Sequence, residues 1–127
     1  MNQFTLLFAA FLGMTAIILG AFGAHAFKKI LNEEQLKSFE TGVKYQMYHA
    51  LVLLILGFQL PFNQPLEKYI IFSFIIGIIL FSFSIYGLVI SSAKNKKIRF
   101  LGPITPLGGL LLTIGWGMLL YLIYSNY

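Results

Sequence analysis

Four apolar runs separated by short polar loops constrain this chain more than any other feature. The first, residues 4–27, has about the ~20 residues that a helix needs to cross a bilayer. With 58% hydrophobic and 10% charged residues in 127, and a mean hydropathy of +0.83, the chain has more apolar surface than a soluble domain of this size can enclose. Lipid is the solvent that such a sequence requires. There is no cysteine, so disulfides and thiolate metal sites are not available to it.

In the first run, Ala9, Gly13, Ala16, Gly20 and Ala24 recur at spacings of three and four, a stripe on which another backbone can approach closely. Ala24-His25-Ala26 resembles a leader cleavage site. A leader carries its positive charge ahead of the apolar stretch, whereas Lys28 and Lys29 follow it, so the helix is expected to be retained. Asn32 with Gln35 three residues later reads as a capping box and starts a helix near Glu33. No proline interrupts this helix before Pro61. Its first part, residues 33–44, is amphipathic and lies at the surface, and residues 45–60 form the second span. Pro61 and Pro65 frame a turn. A third span over residues 69–90 carries a second stripe, Ser73, Gly77, Ser84, Gly87 and Ser91, able to meet the first. Thr105 suits an N-cap and Pro106 the first helical position, which opens a fourth span over residues 106–124 ending in the interfacial tyrosines 121, 124 and 127. The expected fold is all-α: one domain over residues 1–127, a bundle of four transmembrane helices, with an amphipathic cytoplasmic segment leading into the second.

The charges orient this bundle. Lys28, Lys29, Lys37 and Lys44 follow the first run, and Lys94, Lys96, Lys97 and Arg99 follow the third, against Lys68 alone in the second loop. The positive-inside rule then places the first and third loops in the cytoplasm and both termini outside. The formal net charge of +5 is thereby a matter of topology, and nucleic acid is not an expected partner. The basic knot from Lys94 to Arg99 is a candidate contact for anionic headgroups.

Both histidines and three of the four acidic residues fall between Gly20 and Leu51. At 100° per residue Tyr45 and His49 share a face with Ser38, while Glu40 and Lys44 lie on nearly the opposite one. Glu40 and Lys44 are thus a candidate ion pair rather than half of an acid–base dyad. His25, Tyr45, His49 and Ser38 form the candidate polar cluster, with His25 expected to face His49 across a helical hairpin. A neutral imidazole there locks two helices through a hydrogen bond; the competing role is a proton or ligand site, since ionisable groups within a membrane mark function. Two histidines without cysteine or an H-E-x-x-H spacing do not make a zinc site, so no metal and no other cofactor is expected. Gly20–Gly23 and Gly108–Gly109 lack the P-loop Lys-Ser/Thr and a preceding strand.

The segments GAFGAHAFKKIL, LKSFETGVKYQMYHALVLL, LFSFSIYGL and LGPITPLGGLLLTIGW resemble the domain-of-unknown-function family four-two-three, small four-helix bacterial inner-membrane proteins with eukaryotic small transmembrane relatives. The resemblance spans nearly the whole chain, and Phe83 departs from it by standing where a small residue is expected. It implies an inner-membrane location without an established activity, and it supplies no catalytic residues.

Three function classes follow. A structural or accessory membrane protein that packs with itself or a larger assembly is favoured by the small-residue stripes. A small transporter or lipid-headgroup-binding protein would use the His25, Tyr45 and His49 cluster. An intramembrane enzyme lacks a nameable acid and base.

Overall fold

A computed structural model describes residues 1–127, apart from the side chain of Ala24, so that member of the first stripe lies outside what is described. Four long helices account for nearly all of the chain: α1, Asn2–Phe27; α2, Glu33–Gln59; α3, Pro65–Ala93; and α4, Ile104–Asn126. Among the described residues α1, α3 and a segment that includes α4 are each long and apolar enough to cross a membrane. The charges in the first turns of α2 lower its apolarity.

Each helix start has a local cause. Asn32 Oδ1 accepts from the Gln35 amide at 2.8 Å and Gln35 Oε1 accepts from the Asn32 amide at 3.1 Å, which satisfies two donors left free at the start of α2. At the start of α3, Pro65 occupies the first turn, where its missing N–H is harmless, and Glu67 Oε2 accepts from the Gln64 amide at 3.0 Å. Helix α3 therefore begins four residues before Tyr69, the start expected from hydropathy. The turn ahead of it contains Phe62 at φ 57°. An aromatic residue is uncommon in this region, and its ring packs against the main core.

Thr105 does not cap α4, because the helix begins at Ile104 with Pro103 ahead of it. The Thr105 hydroxyl lies 2.6 Å from that of Ser84 and joins α4 to α3 instead.

Among the described residues the two small-residue stripes do not meet each other; each packs inside its own hairpin. Gly57 of α2 lies against Leu6 and Thr5 of α1, Gly13 against Ala50, Gly20 against Val43, and Gly23 against Phe39. These pairs run in opposite directions along the chain, so α1 and α2 are antiparallel neighbours over their whole length. At the far end Asn2 Nδ2 donates to Leu60 O at 3.5 Å. In the second hairpin Ser73 Oγ donates to Leu111 O at 2.7 Å, Gly77 abuts Leu112, and Gly115 abuts Phe74. Short loops make sequential helices neighbours, and this favours packing within a hairpin.

Two helices contain a π turn, Leu19–Gly23 in α1 and Ile79–Phe83 in α3. The extra residue of a π turn rotates the side chains that follow it. Before it, Ser73, Phe74 and Gly77 of α3 face α4; from it onward, Ser82, Ile85 and Tyr86 face α2, while the π turn itself and Ser84 keep contact with α4. Helix α3 thereby serves two neighbours. Phe83 sits in this turn with its ring partly exposed, edge-on to Tyr86 at 5.7 Å between centroids, and so does not obstruct the helix contacts.

Candidate functional site

The densest polar arrangement lies where α1, α2 and α3 meet, and its centre is Gln46. A glutamine in an apolar environment has two donors and an acceptor to satisfy. Here Nε2 donates to Leu12 O at 2.9 Å and to Thr15 Oγ1 at 2.8 Å, while Oε1 accepts from the Tyr86 hydroxyl at 2.7 Å. The Thr15 hydroxyl itself donates to Phe11 O at 2.8 Å. One turn earlier on α2, Gly42 lets α3 come close: Ser82 Oγ donates to Gly42 O at 2.7 Å, and a Cβ on Gly42 would stand 2.7 Å from the Tyr86 ring. Gln46 is fully buried and Tyr86 is 7% exposed.

His49 is one turn further along α2 and turns toward α3 and α4. Its Nδ1 lies 2.8 Å from Tyr45 O, and Trp116 Nε1 donates to its Nε2 at 3.2 Å. A carbonyl only accepts and an indole N–H only donates, so Nδ1 carries the proton and the ring is the neutral tautomer. Phe74 and Trp116 enclose it, with ring centroids at 5.6 Å and 6.2 Å.

The structure brings together part of the cluster expected from the sequence. Tyr45 and His49 stack at 6.4 Å between centroids, and Tyr45 also packs on Phe81. His25 is exposed near the end of α1 and takes no part. The contact of Gly13 with Ala50 sets His49 level with Gly13; His25 is twelve residues further along, about 18 Å at the rise of a helix. Ser38 is likewise exposed, three turns before His49, and lines a separate polar cavity at the end of the bundle. Glu40 and Lys44 both border a small cavity with Gly20 and Phe39, and no ion pair joins them among the described residues. Lys94, Lys96, Lys97 and Arg99 are all exposed, and Lys97 and Arg99 line the same polar cavity as Ser38. Among the described residues no three of His, Cys, Asp or Glu gather closely enough to hold a metal ion.

Reading from the sequence singled out the ionisable side chains of α2 and passed over Gln46, Tyr86 and Trp116. A signal for Gln46 was present: it lies four residues after Gly42 and three before His49, on one helical stripe. Tyr86 and Trp116 carried no such signal, because aromatic residues are as common against lipid as against protein.

Comparison with known proteins places this chain in a family. Residues 19–109 match the model described as "Protein of unknown function (DUF423)", a stretch that includes Gln46, His49, Ser82 and Tyr86. The chain is 42% identical over 110 residues to the UPF0382 membrane protein SAB0533 of Staphylococcus aureus, covering 84% of each chain. It is 37% identical to a UPF0382 membrane protein of Haemophilus influenzae, over 86% of this chain and 84% of that one. To the UPF0382 inner membrane protein YgdD of Escherichia coli it is 33% identical over 122 residues, 94% of this chain and 88% of the relative. No solved structure matches. The chain belongs to the DUF423 family of proteins of unknown function.

Proposed function

We propose that this protein is an accessory or structural component of the inner membrane, spanning it four times and packing with a second copy or a larger membrane assembly. One observation carries this reading. No buried side-chain nitrogen or oxygen among the described residues lacks a hydrogen-bond partner, and the principal ones are spent on ties between helices. A transport path or an intramembrane catalyst needs polar groups left over for a substrate or a proton. Gln46, Tyr86, Ser82 and His49 are instead committed to Leu12, Thr15, Gly42 and Trp116.

The helix contacts support four spans. Helix α2 follows α1 from Phe39 beside Gly23 to Leu60 beside Asn2, and all of its charged residues precede Tyr45. A membrane crossed by α1 is therefore crossed by its antiparallel neighbour. Four spans leave both termini on one side, and the lysine asymmetry favours the outside. Helix α1 packs mainly on α2, leaving Phe4, Leu7, Phe11, Met14 and Ile17 exposed to lipid or a partner.

Purification in native lipid tests the role. A stoichiometric second protein, or a defined oligomer, is the expected result; a monomer that instead moves a solute across vesicles would overturn it. Reporters fused after Tyr127 and within the loop between α2 and α3 are both expected to be active on the non-cytoplasmic side. Opposite locations for the two would refute the crossing of both α3 and α4.

A further inference from the structure

At the end of the bundle that carries the basic loop, the first turns of α2, the last turns of α3 and the 3₁₀ turn Arg99–Leu101 surround a cavity of about 660 Å³. This volume lies in the range of small-molecule sites, about 300–1,000 Å³. Lys97 and Arg99 come to it from the loop, Glu34 and Ser38 from α2, and Ser92 from α3.

Two features of these residues point to a ligand. The first concerns charge: a carboxylate and two cations line one space from different elements. The second concerns the hydroxyls. Every other serine and threonine side chain bonds another group of the chain. Among the described residues, the two serine or threonine hydroxyls with no such bond are those of Ser38, which is exposed, and Ser92, which is half-buried, and both line this cavity. Donors, an acceptor and both signs of charge converge here.

A ligand that fits must itself carry both signs. Arginine presents a planar fork of N–H groups suited to phosphate oxygens, lysine adds a point charge, and a carboxylate accepts from a primary ammonium. We infer that the cavity binds a phosphate ester bearing an amine, of the phosphoethanolamine type. Lys97 and Arg99 hold the phosphate, Glu34 holds the ammonium, and Ser38 and Ser92 supply the remaining hydrogen bonds. Such a group occurs as a phospholipid headgroup and as a soluble metabolite. Ile98 and Phe100, exposed between and beside the two cations, set apolar side chains at the rim in the manner of a segment lying at a lipid interface. The inference does not depend on the accessory role proposed above.

The test uses the full chain in detergent micelles, titrated with dioctanoyl phosphatidylethanolamine, dioctanoyl phosphatidylglycerol and free phosphoethanolamine, with binding read by native mass spectrometry. The ethanolamine lipid is expected to bind saturably and at least about tenfold more tightly than the glycerol lipid. Arg99→Gln and Lys97→Gln should each weaken both lipids by about tenfold or more. Glu34→Gln should abolish the preference between them, and Lys94→Gln, outside the cavity, should change neither. All four positions are exposed, so helicity by circular dichroism should be unaltered in every variant. Free phosphoethanolamine binding as tightly as the lipid assigns the site to a soluble ligand, and much weaker binding assigns it to a headgroup. Equal affinity of the wild-type chain for the two lipids, or unchanged binding in Arg99→Gln, overturns the proposal.

Discussion

Replacing Gly108 by alanine should destabilise the protein, even though alanine is the better helix former. A Cβ at position 108 would fall on the backbone nitrogen of Phe81, with Leu80 C and Phe81 Cα each only 2.8 Å away. Ordinary contact begins near 3.4 Å, and backbone atoms within a π turn cannot swing aside as a side-chain tip can. The helices must separate instead, stretching the 2.6 Å Ser84–Thr105 bond on one side of Gly108 and the 2.7 Å Ser73–Leu111 bond on the other. Overpacking of this kind costs about 1–3 kcal/mol, and interhelix hydrogen bonds in membranes average about 0.6 kcal/mol each. Against this stands a gain of ~1 kcal/mol in helix propensity. The net expectation is a loss of roughly 1–3 kcal/mol, read as a fall in the detergent melting temperature of about 4 °C per kcal/mol. Gly117 of the same helix provides the control, since a Cβ there meets nothing within 4 Å; Gly117→Ala should raise the melting temperature or leave it unchanged. If Gly108→Ala melts as high as Gly117→Ala, the close approach of α4 to the π turn of α3 is wrong.

Gln46→Leu should cost about 1–3 kcal/mol by leaving the buried Tyr86 hydroxyl without its acceptor; adding Tyr86→Phe should recover part of that loss in a double-mutant cycle, and additive losses would deny the bond. Trp116→Phe removes the donor to His49 Nε2 and should cost about 0.6 kcal/mol, seen as a small drop in melting temperature. His49→Gln, which keeps a donor and an acceptor but cannot take up a proton near neutral pH, should leave both folding and any cellular phenotype intact; a folded variant without the phenotype would argue for a proton or ligand role.

The parts of the fold that were legible in the sequence are those with a local cause. Apolar length gives the helices, and Asn32 with Gln35 gives the start of α2 because both partners lie within one turn. Thr105 shows how a local signal is overridden. The same hydroxyl that suits a cap also suits Ser84 across the helix pair, and only the tertiary structure decides between them. His25 failed for a different reason. Two histidines in one polar stretch look adjacent, but a hairpin carries its second helix back along the first, and the depth of each residue depends on register. That register is set by contacts such as Gly57 with Leu6, which hydropathy does not encode. The π turns were not legible at all, since nothing in LGAFG or ILFSF distinguishes an extra residue per turn from a regular helix.

The polar ties then explain how an almost wholly apolar sequence selects one arrangement of its helices. In lipid the surroundings are as apolar as leucine, so burying one more leucine between helices contributes little and sliding by a turn costs little. A buried glutamine is different, because in the wrong register its donors and acceptor have no partners and no water to replace them. Gln46 fixes α2 to Leu12 and Thr15 of α1 and to Tyr86 of α3 at once, and His49 fixes it to Trp116 of α4. The π turn of α3 makes these ties compatible. In a regular helix, at about 100° per residue, Ser82 and Tyr86 would lie roughly opposite Ser73 and Gly77, and the extra residue of the π turn changes the angle between the faces that meet α2 and α4. Gly42 and Gly108, at which α2 and α4 come closest to this part of α3, are therefore the positions where close backbone approach and hydrogen-bond register depend on each other.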